Sequence, residues 1–199
     1  MRFIGDTHCD FKKYVELVGD SPASIQVGDF GVGFCNIDDS PRLGQTHRFI
    51  RGNHDNPEMC RAHPNYIGDI VVEGEMFFMS GAFSIDRDNR TIGRDWWDNE
   101  QLSYPSLMTA IDIYEQVKPR IVVTHDCPET VARVIFKNRE ARPSATARAL
   151  DTMFQLHKPD LWVFGHWHTN VRQVILGTRF VCIANADALD IDISWAQSS

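Results

Sequence analysis

Five short polar clusters, each directly after an apolar run, hold the side chains of this 199-residue sequence best suited to chemistry. They are Asp6 and His8 in "GDTH", Asp29 in "GD", Asn53, His54 and Asp55 in "GNHD", His125 in "TH", and His166 and His168 in "GHWH". Five of the eight histidines fall in this set. Carboxylate, imidazole and amide-oxygen donors together suit Mn²⁺, Fe or Zn²⁺, whereas a purely structural zinc site would favour thiolates. One ion takes about four to six donors, so seven candidates besides His54 and Asp55 point to two ions sharing a carboxylate. Paired ions about 3.5 to 4 Å apart lower the pKa of a shared water and neutralise charge on a phosphoryl group. Hydrolysis of a phosphate ester is the chemistry such a centre does best.

Elements must bring these distant residues together. "MRFIG" and "ASIQVGD" are apolar runs separated by "FKKYVELVGD", whose Phe11, Tyr14, Val15 and Val18 have helical spacing. "HRFIRGNHD", "PRIVVTHD" and "PDLWVFGHWH" repeat the pattern of an apolar run closed by polar side chains, with helices expected over 104–117, 128–136 and 144–157. Alternating strands and helices predict an α/β layered fold with ligands at the carboxyl ends of the strands. In an extended segment, residues i and i+2 point the same way, so Asp6 with His8, and His166 with His168, are expected to face one centre each. "NVRQVIL", "TRFVCIAN" and "LDIDISW" follow without a helix between them and predict a second, largely antiparallel sheet. No linker, low-complexity segment or solenoid repeat divides the chain, and one domain over 1–199 is expected.

The blocks Asp-x-His, Gly-Asp, Gly-Asn-His-Asp, a lone His and Gly-His-x-His stand in this order over residues 6–168. In this the chain resembles the calcineurin-like metallophosphoesterases, and its stretch 84–105 resembles small bacterial and phage members of that family. The resemblance implies a four-layer αββα sandwich of two mixed sheets flanked by helices. It implies one ion held by Asp6, His8, Asp29 and His168 and another by Asp29, Asn53, His125 and His166, with Asp29 bridging. His54 would stay off the metals and donate a hydrogen bond or proton to the leaving oxygen while a metal-bridging hydroxide attacks in line. The protein-phosphatase branch continues its second block as Gly-Asp-x-x-Asp-Arg-Gly, and the later Asp orients the catalytic His. Here the stretch is "GDFGVGF" and that Asp is missing. Phosphodiester hydrolysis, on a nucleotide or nucleic-acid-like substrate, is therefore the leading expectation. A phosphomonoesterase or protein phosphatase, a nuclease and a non-catalytic scaffold are the alternatives. Asp55 is either the orienter of His54 or the cap of a helix beginning at Pro57. Two divalent ions are expected as cofactors, manganese first, with iron, zinc or nickel as alternatives.

Between the third and fourth blocks, "SIDRDNRTIGRDWWDNEQLSYP" gathers Arg87, Arg90, Arg94, Trp96 and Trp97 in a loop of about 20 residues, long enough to suggest function. Arginines can fork onto phosphate oxygens and tryptophans can stack on a base. Equally, the tryptophans can anchor the loop while the arginines pair with Asp86, Asp88 and Asp95. "FKNREARPSATAR" carries Lys137, Arg139, Arg142 and Arg148, which either rim the site or form a solvated loop before a helix capped by Ser144. His47, His63 and His157 fit no block and are expected to be surface or packing residues.

Composition narrows the partners. A formal net charge of −7 disfavours non-specific binding to nucleic acid or anionic membrane, and no dedicated nucleic-acid-binding domain is evident. No segment approaches the roughly 18 apolar residues of a membrane span, and "MRFIGDTHCD" lacks the apolar stretch of a secretory signal, so a cytoplasmic protein is expected. The five cysteines, Cys9, Cys35, Cys60, Cys127 and Cys182, form no CxxC pair and are expected to be reduced thiols. The oligomeric state is left open.

Overall fold

A computed structural model describes residues 1–35, 41, 43–137 and 144–196. Its strands form two mixed sheets. The first has the order β10-β1-β2-β3, with β1 (Arg2–Ile4), β2 (Ser24–Gln26) and β3 (His47–Phe49) parallel and β10 (Ala188–Asp190) antiparallel to β1. The second has the order β4-β5-β6-β7-β9-β8. Its centre is the parallel set β5 (Met76–Met79), β6 (Ile121–Thr124), β7 (Leu161–Phe164) and β9 (Thr178–Cys182). Antiparallel β4 (Ile70–Glu73) and β8 (Val171–Ile175) close its edges.

The alternation of side chains along the strands builds four layers. Phe3, Ile25, Phe78, Ile121, Val123, Leu161, Val163 and Val181 share the core between the sheets. Their neighbours Phe77, Val122, Trp162, Phe164 and Phe180 face the other way and pack with α3 (Tyr104–Val117), α4 (Glu129–Ile135) and α5 (Ala145–Leu156). On the outer face of the small sheet, Ile4 and Phe49 meet Tyr14 and Val18 of α1 (Phe11–Val18) and Cys60 of α2 (Pro57–Ala62). Strands β6 and β7, covered on both faces, are nearly continuous apolar runs and stand out in the sequence. Helix starts follow from capping: Asp10, Asn56, Ser103 and Ser144 each accept a backbone N–H of the first turn. Asn56, not Asp55, caps α2, which corrects one of the two readings of Asp55.

Two further expectations are corrected, and one element is new. The C-terminal strands do not form a separate antiparallel sheet: β8 and β9 extend the six-stranded sheet, and β10 joins the other. Strand partnership is a tertiary property that short spacing does not report. The β4–β5 hairpin, turning at Gly74 with φ +55°, has no counterpart in the sequence reading. Cys9 and Cys35 are paired as a disulfide across 26 residues, whereas Cys60, Cys127 and Cys182 are buried free thiols. Among the described residues no helix is long and apolar enough to cross a membrane.

One buried cation ties the end of β3 to the rest. Arg51, 1% exposed, donates from Nε to Asp69 Oδ1 at 2.8 Å and from Nη1 to the Glu100 carbonyl at 2.6 Å. Burial alone would raise the Asp69 carboxyl, but Arg51, with Arg61 and Tyr66, more than offsets this and holds its pKa below the ordinary carboxylate value. A depressed folded-state pKa contributes stability that is present above the unfolded value of about 4 and is lost as pH falls through the folded value. Arg51→Met should cost about 3 kcal/mol at neutral pH, because it strands the Glu100 carbonyl and removes half of a buried pair. Urea unfolding at a series of pH values from 7 to 3 should also show a shallower acid loss in the variant, and equal slopes would refute the assignment.

Candidate metal centre

The five polar clusters all lie just past the carboxyl ends of parallel strands: β1 leads to Asp6 and His8, β2 to Asp29, β3 to Asn53 and His54, β6 to His125, and β7 to His166 and His168. The two sheets present these ends to one another, and Asp29 stands between them. Its Oδ2 is 3.3 Å from His125 Nε2, 3.8 Å from His54 Nε2 and 3.9 Å from His8 Nε2, while Oδ1 accepts the His54 backbone N–H at 2.8 Å. Asp6 Oδ2 is 3.1 Å from His168 Nε2, and His168 Nε2 is 3.0 Å from His8 Nε2. Donor atoms of Asp6, His8, Asp29 and His168 form one group, and those of Asp29, His125 and His166 a second that shares Asp29.

The residues converge by turns rather than by the alternation of extended chain. His8 (φ +43°), Asp29 (+56°), His166 (+65°) and His168 (+51°) all occupy the left-handed region that non-glycine residues avoid. Such backbone costs of order 1 kcal/mol or more per residue and persists only where the surroundings enforce it. Asp55 does part of the enforcing. Its carboxylate is buried and accepts four backbone N–H groups, from Phe30, Gly31, Val32 and Gly52, so it pins the turn after Asp29 against the turn before Asn53. Close approach does the rest. A Cβ on Gly52 would lie 2.1 Å from Asp29 Oδ1 and 2.6 Å from His125 Nε2, and one on Gly165 would lie 2.2 Å from Asp6 Oδ1.

The donor set fits divalent ions. Asn53 lines the cleft with His8, Asp29 and His166, and its Oδ1 is buried without a hydrogen-bond partner among the described residues. His125 Nδ1 is 2.8 Å from the Val27 carbonyl and so carries a proton, and Nε2 is the nitrogen that would ligate an ion on giving up any proton it holds. The electrostatics ask for positive charge. Burial would lower the His125 pKa, but Asp29 and Asp6 raise it to about 10, and the contact with Asp6 raises His168 against burial. Burial itself would raise Asp29, yet His125, His54 and His8 hold it well below the carboxylate range. His166 is lowered by burial, against the pull of Asp126.

A cleft of about 760 Å³ opens over this cluster. His54 lines it, with Nε2 3.3 Å from Arg90 Nη2. Burial pushes the His54 pKa down to about 4, against Asp29 and with Arg90 adding to the fall. Of the five loop residues singled out in the sequence, the structure brings Arg90 to the cleft, held by Asp86 at 2.7 and 2.6 Å. Arg87 lies over the Phe83 ring and pairs with Asp88, Arg94 is exposed, Trp96 is half-buried and Trp97 is buried. Lys137 and Arg148 are exposed, and Arg139 and Arg142 lie outside the described residues. His47, His63 and His157 make hydrogen bonds away from the cluster, to Ser24, Asn65 and Pro119. Sequence reasoning passed over Asp126 and Trp167, joined at 3.0 Å on the cleft wall, although each directly follows a cluster histidine.

The calcineurin-like phosphoesterase family model matches residues 2–170. Among curated proteins, none matches the chain. The solved structure of phosphopantetheinyl hydrolase from Mycobacterium tuberculosis is similar with a TM-score of 0.55 at 12% identity, over 92% of this chain and 89% of that one. A predicted phosphoesterase from Streptococcus pneumoniae TIGR4 aligns at 13% identity and a TM-score of 0.39, over 92% of this chain and 72% of that one. A Thermotoga maritima protein aligns at 15% identity and a TM-score of 0.40, over 96% and 92%.

Two substitutions separate clamp from cradle. Asp55→Asn turns one acceptor into a donor facing backbone N–H groups and should cost about 3 kcal/mol of stability as well as weaken Mn²⁺ binding. Gly52→Ala should leave the far-UV circular dichroism intact and weaken Mn²⁺ binding at least tenfold by displacing Asp29 and His125. Calorimetric titration beside thermal unfolding would check both, and wild-type metal affinity in Gly52→Ala would contradict the packing argument.

Proposed function

Because the chain belongs to the calcineurin-like phosphoesterase family, and so to the metal-dependent phosphoester hydrolases, we propose that it is a dinuclear phosphodiesterase acting on a small diester such as a nucleotide. The observation that carries the reading is the shared carboxylate: two donor groups meet at Asp29, and Asn53 Oδ1 is left free to complete the second. Asp6, His8, Asp29 and His168 would hold one ion, and Asp29, Asn53, His125 and His166 the other, with Mn²⁺ the first ion to try. Such a pair supplies a nucleophilic water at neutral pH and neutralises phosphoryl charge.

The chain's own residues then bind and orient the ester. Arg90, fixed by two bonds from Asp86, presents its guanidinium to the phosphoryl oxygens beside His54. Arg90 can only donate, so the contact takes His54 as a neutral ring accepting at Nε2, in keeping with its depressed pKa. An ester whose phosphoryl oxygens take over the Arg90 Nη2 donor would free His54 Nε2, and the neutral ring, as its Nε2–H tautomer, would then offer the leaving oxygen a hydrogen bond. The role of Asp55 in this reading is to hold the Asp29 and Asn53 turns, with no proton to move.

Two features favour a diester over a monoester or a phosphoprotein. Outside the ligand groups, the charged residues described on the cleft are Asp86, Asp126, Glu129 and Arg90, a net −2, which suits a monoanionic diester better than a dianionic monoester or a polyanionic nucleic acid. Phe34, Phe83, Ile85 and Trp167 form an apolar wall beside the centre, with Phe34 and Ile85 substantially exposed, and can take an organic group on the second ester arm. A single domain over 1–199 and a cytoplasmic location belong to the same proposal.

Turnover of bis(p-nitrophenyl) phosphate and p-nitrophenyl phosphate by the Mn²⁺-loaded protein tests it. The diester should have at least a tenfold higher kcat/KM, and Asp29→Asn should lose activity by about 10³-fold. A preference for the monoester would overturn the diester assignment, and no turnover of either ester with metal bound would overturn the enzyme reading altogether.

A further inference from the structure

Asparagine is an ambiguous ligand, because its two ends are nearly isosteric and only one of them can bind a cation. An Asn53 flipped by half a turn would aim an NH₂ group at the metal site and repel the ion. Something must choose the rotamer, and the bonds around it have a definite direction. Asn53 Nδ2 is 3.1 Å from Ser84 Oγ. Ser84 Oγ is in turn 2.5 Å from Glu100 Oε2, and the Ser84 backbone N–H donates to Glu100 Oε1 at 2.8 Å. All three side chains are buried: Asn53 and Glu100 are each 2% exposed and Ser84 is 1% exposed.

From this we infer that Ser84 and Glu100 are positioning residues that set the polarity of the Asn53 amide and thereby the affinity of one of the two metal ions. Burial raises the Glu100 pKa and the two Ser84 bonds oppose the rise; as a carboxylate Glu100 can only accept, so it takes the single hydroxyl proton of Ser84. With that proton committed, Ser84 Oγ faces Asn53 as an acceptor and selects the NH₂ end. Oδ1 is then the end left on the other side of the amide, buried and without a hydrogen-bond partner among the described residues, on a residue that lines the cleft. Each bond polarises the next, so the charge of Glu100 also makes Oδ1 a stronger donor to a cation. The relay comes from the segment after β5, on a different stretch of chain from any proposed ligand, and the Arg51 bond to the Glu100 carbonyl holds its far end. The inference rests on the dinuclear reading, yet it concerns only the site that Asn53 completes.

The relay has a signature that a merely structural role lacks. Ser84→Ala removes the acceptor and should weaken one Mn²⁺ site at least tenfold while leaving the other within twofold, in a two-site calorimetric titration. Ser84→Thr keeps the hydroxyl and should restore the lost affinity. Glu100→Gln should be as damaging as Ser84→Ala, because its NH₂ end would donate to Ser84 Oγ, turn the hydroxyl proton toward Asn53 and favour the flipped amide. Equal weakening of both sites in Ser84→Ala, or no weakening of either, would overturn the relay. Should the variants fail to fold, the metal-free wild-type protein still decides. Its Asn53 side-chain amide protons, assigned by their loss in Asn53→Asp, should exchange with solvent at least tenfold more slowly than those of an exposed asparagine, and free exchange would overturn the inference. A wild-type protein that binds no Mn²⁺ at all would instead sink the metal-centre reading and leave the amide-exchange result standing.

Discussion

A carboxylate removed from water must be surrounded by partners, and Asp29 is the point at which this requirement joins the two halves of the fold. It is buried, its backbone is left-handed, and its Oδ2 looks toward imidazoles carried by both sheets. Burying an ion of this kind costs several kcal/mol unless the surroundings compensate. Here the compensation is the His54 backbone N–H on one oxygen and a ring of histidines around the other. Asp29 and Asp6 push His125 up to about 10 and Asp6 raises His168, in keeping with negative potential at these two rings, while burial lowers His54 and His166. A cation relieves that negative potential, so the electrostatics and the donor chemistry point the same way.

The strain this geometry imposes is offset by rigid polar bonding close by. Four of the seven proposed ligands have positive φ; the turns of His8 and Asp29 are tied by Asp55, Gln26 and each other's backbone, and the His166 N–H donates to Asp6. Asp55 is instructive because its type invites a catalytic reading. Both oxygens are consumed by backbone N–H groups, and burial with the nearby Asp29 charge raises its pKa while those amides oppose the rise. A carboxylate so saturated holds shape, and the missing Asp of the protein-phosphatase signature has no substitute in it.

How much was legible in the sequence depended on whether the deciding interactions were local. Of the strands preceding the five blocks, β6 (Ile121–Thr124) and β7 (Leu161–Phe164) could be read because both of their faces are covered, which writes an apolar run, whereas β1, β2 and β3 carry Arg2, Ser24, Gln26, His47 and Arg48. Helices α3, α4 and α5 could be read from periodicity and from caps such as Ser103 and Ser144. The insertion of β9 between β7 and β8, the departure of β10 to the other sheet and the Cys9–Cys35 pairing depend on partners far away in the chain. The same limit applies within the loop after β5. Its arginines and tryptophans drew notice by type, yet Arg90 reaches the cleft, while Ser84 and Glu100, unremarkable by type, contact Asn53 directly or through one bond.

That loop shows why recognition and support cannot be separated in this cleft. Trp97 is buried and Arg90 bonds to both Asp86 and the Asp95 carbonyl, so the segment carries its own internal frame. Glu100 then faces two ways, with its carbonyl on Arg51 and its carboxylate on Ser84. Because Arg51 belongs to the same short stretch as Asn53 and His54, a displacement of the loop would be felt at β3 and at the proposed ligand together. The loop can therefore vary its exposed face, at Arg87 or Arg94, with little consequence for the centre. Its inner edge is bound by the proposed requirement that the Asn53 amide oxygen, and not its nitrogen, face an ion.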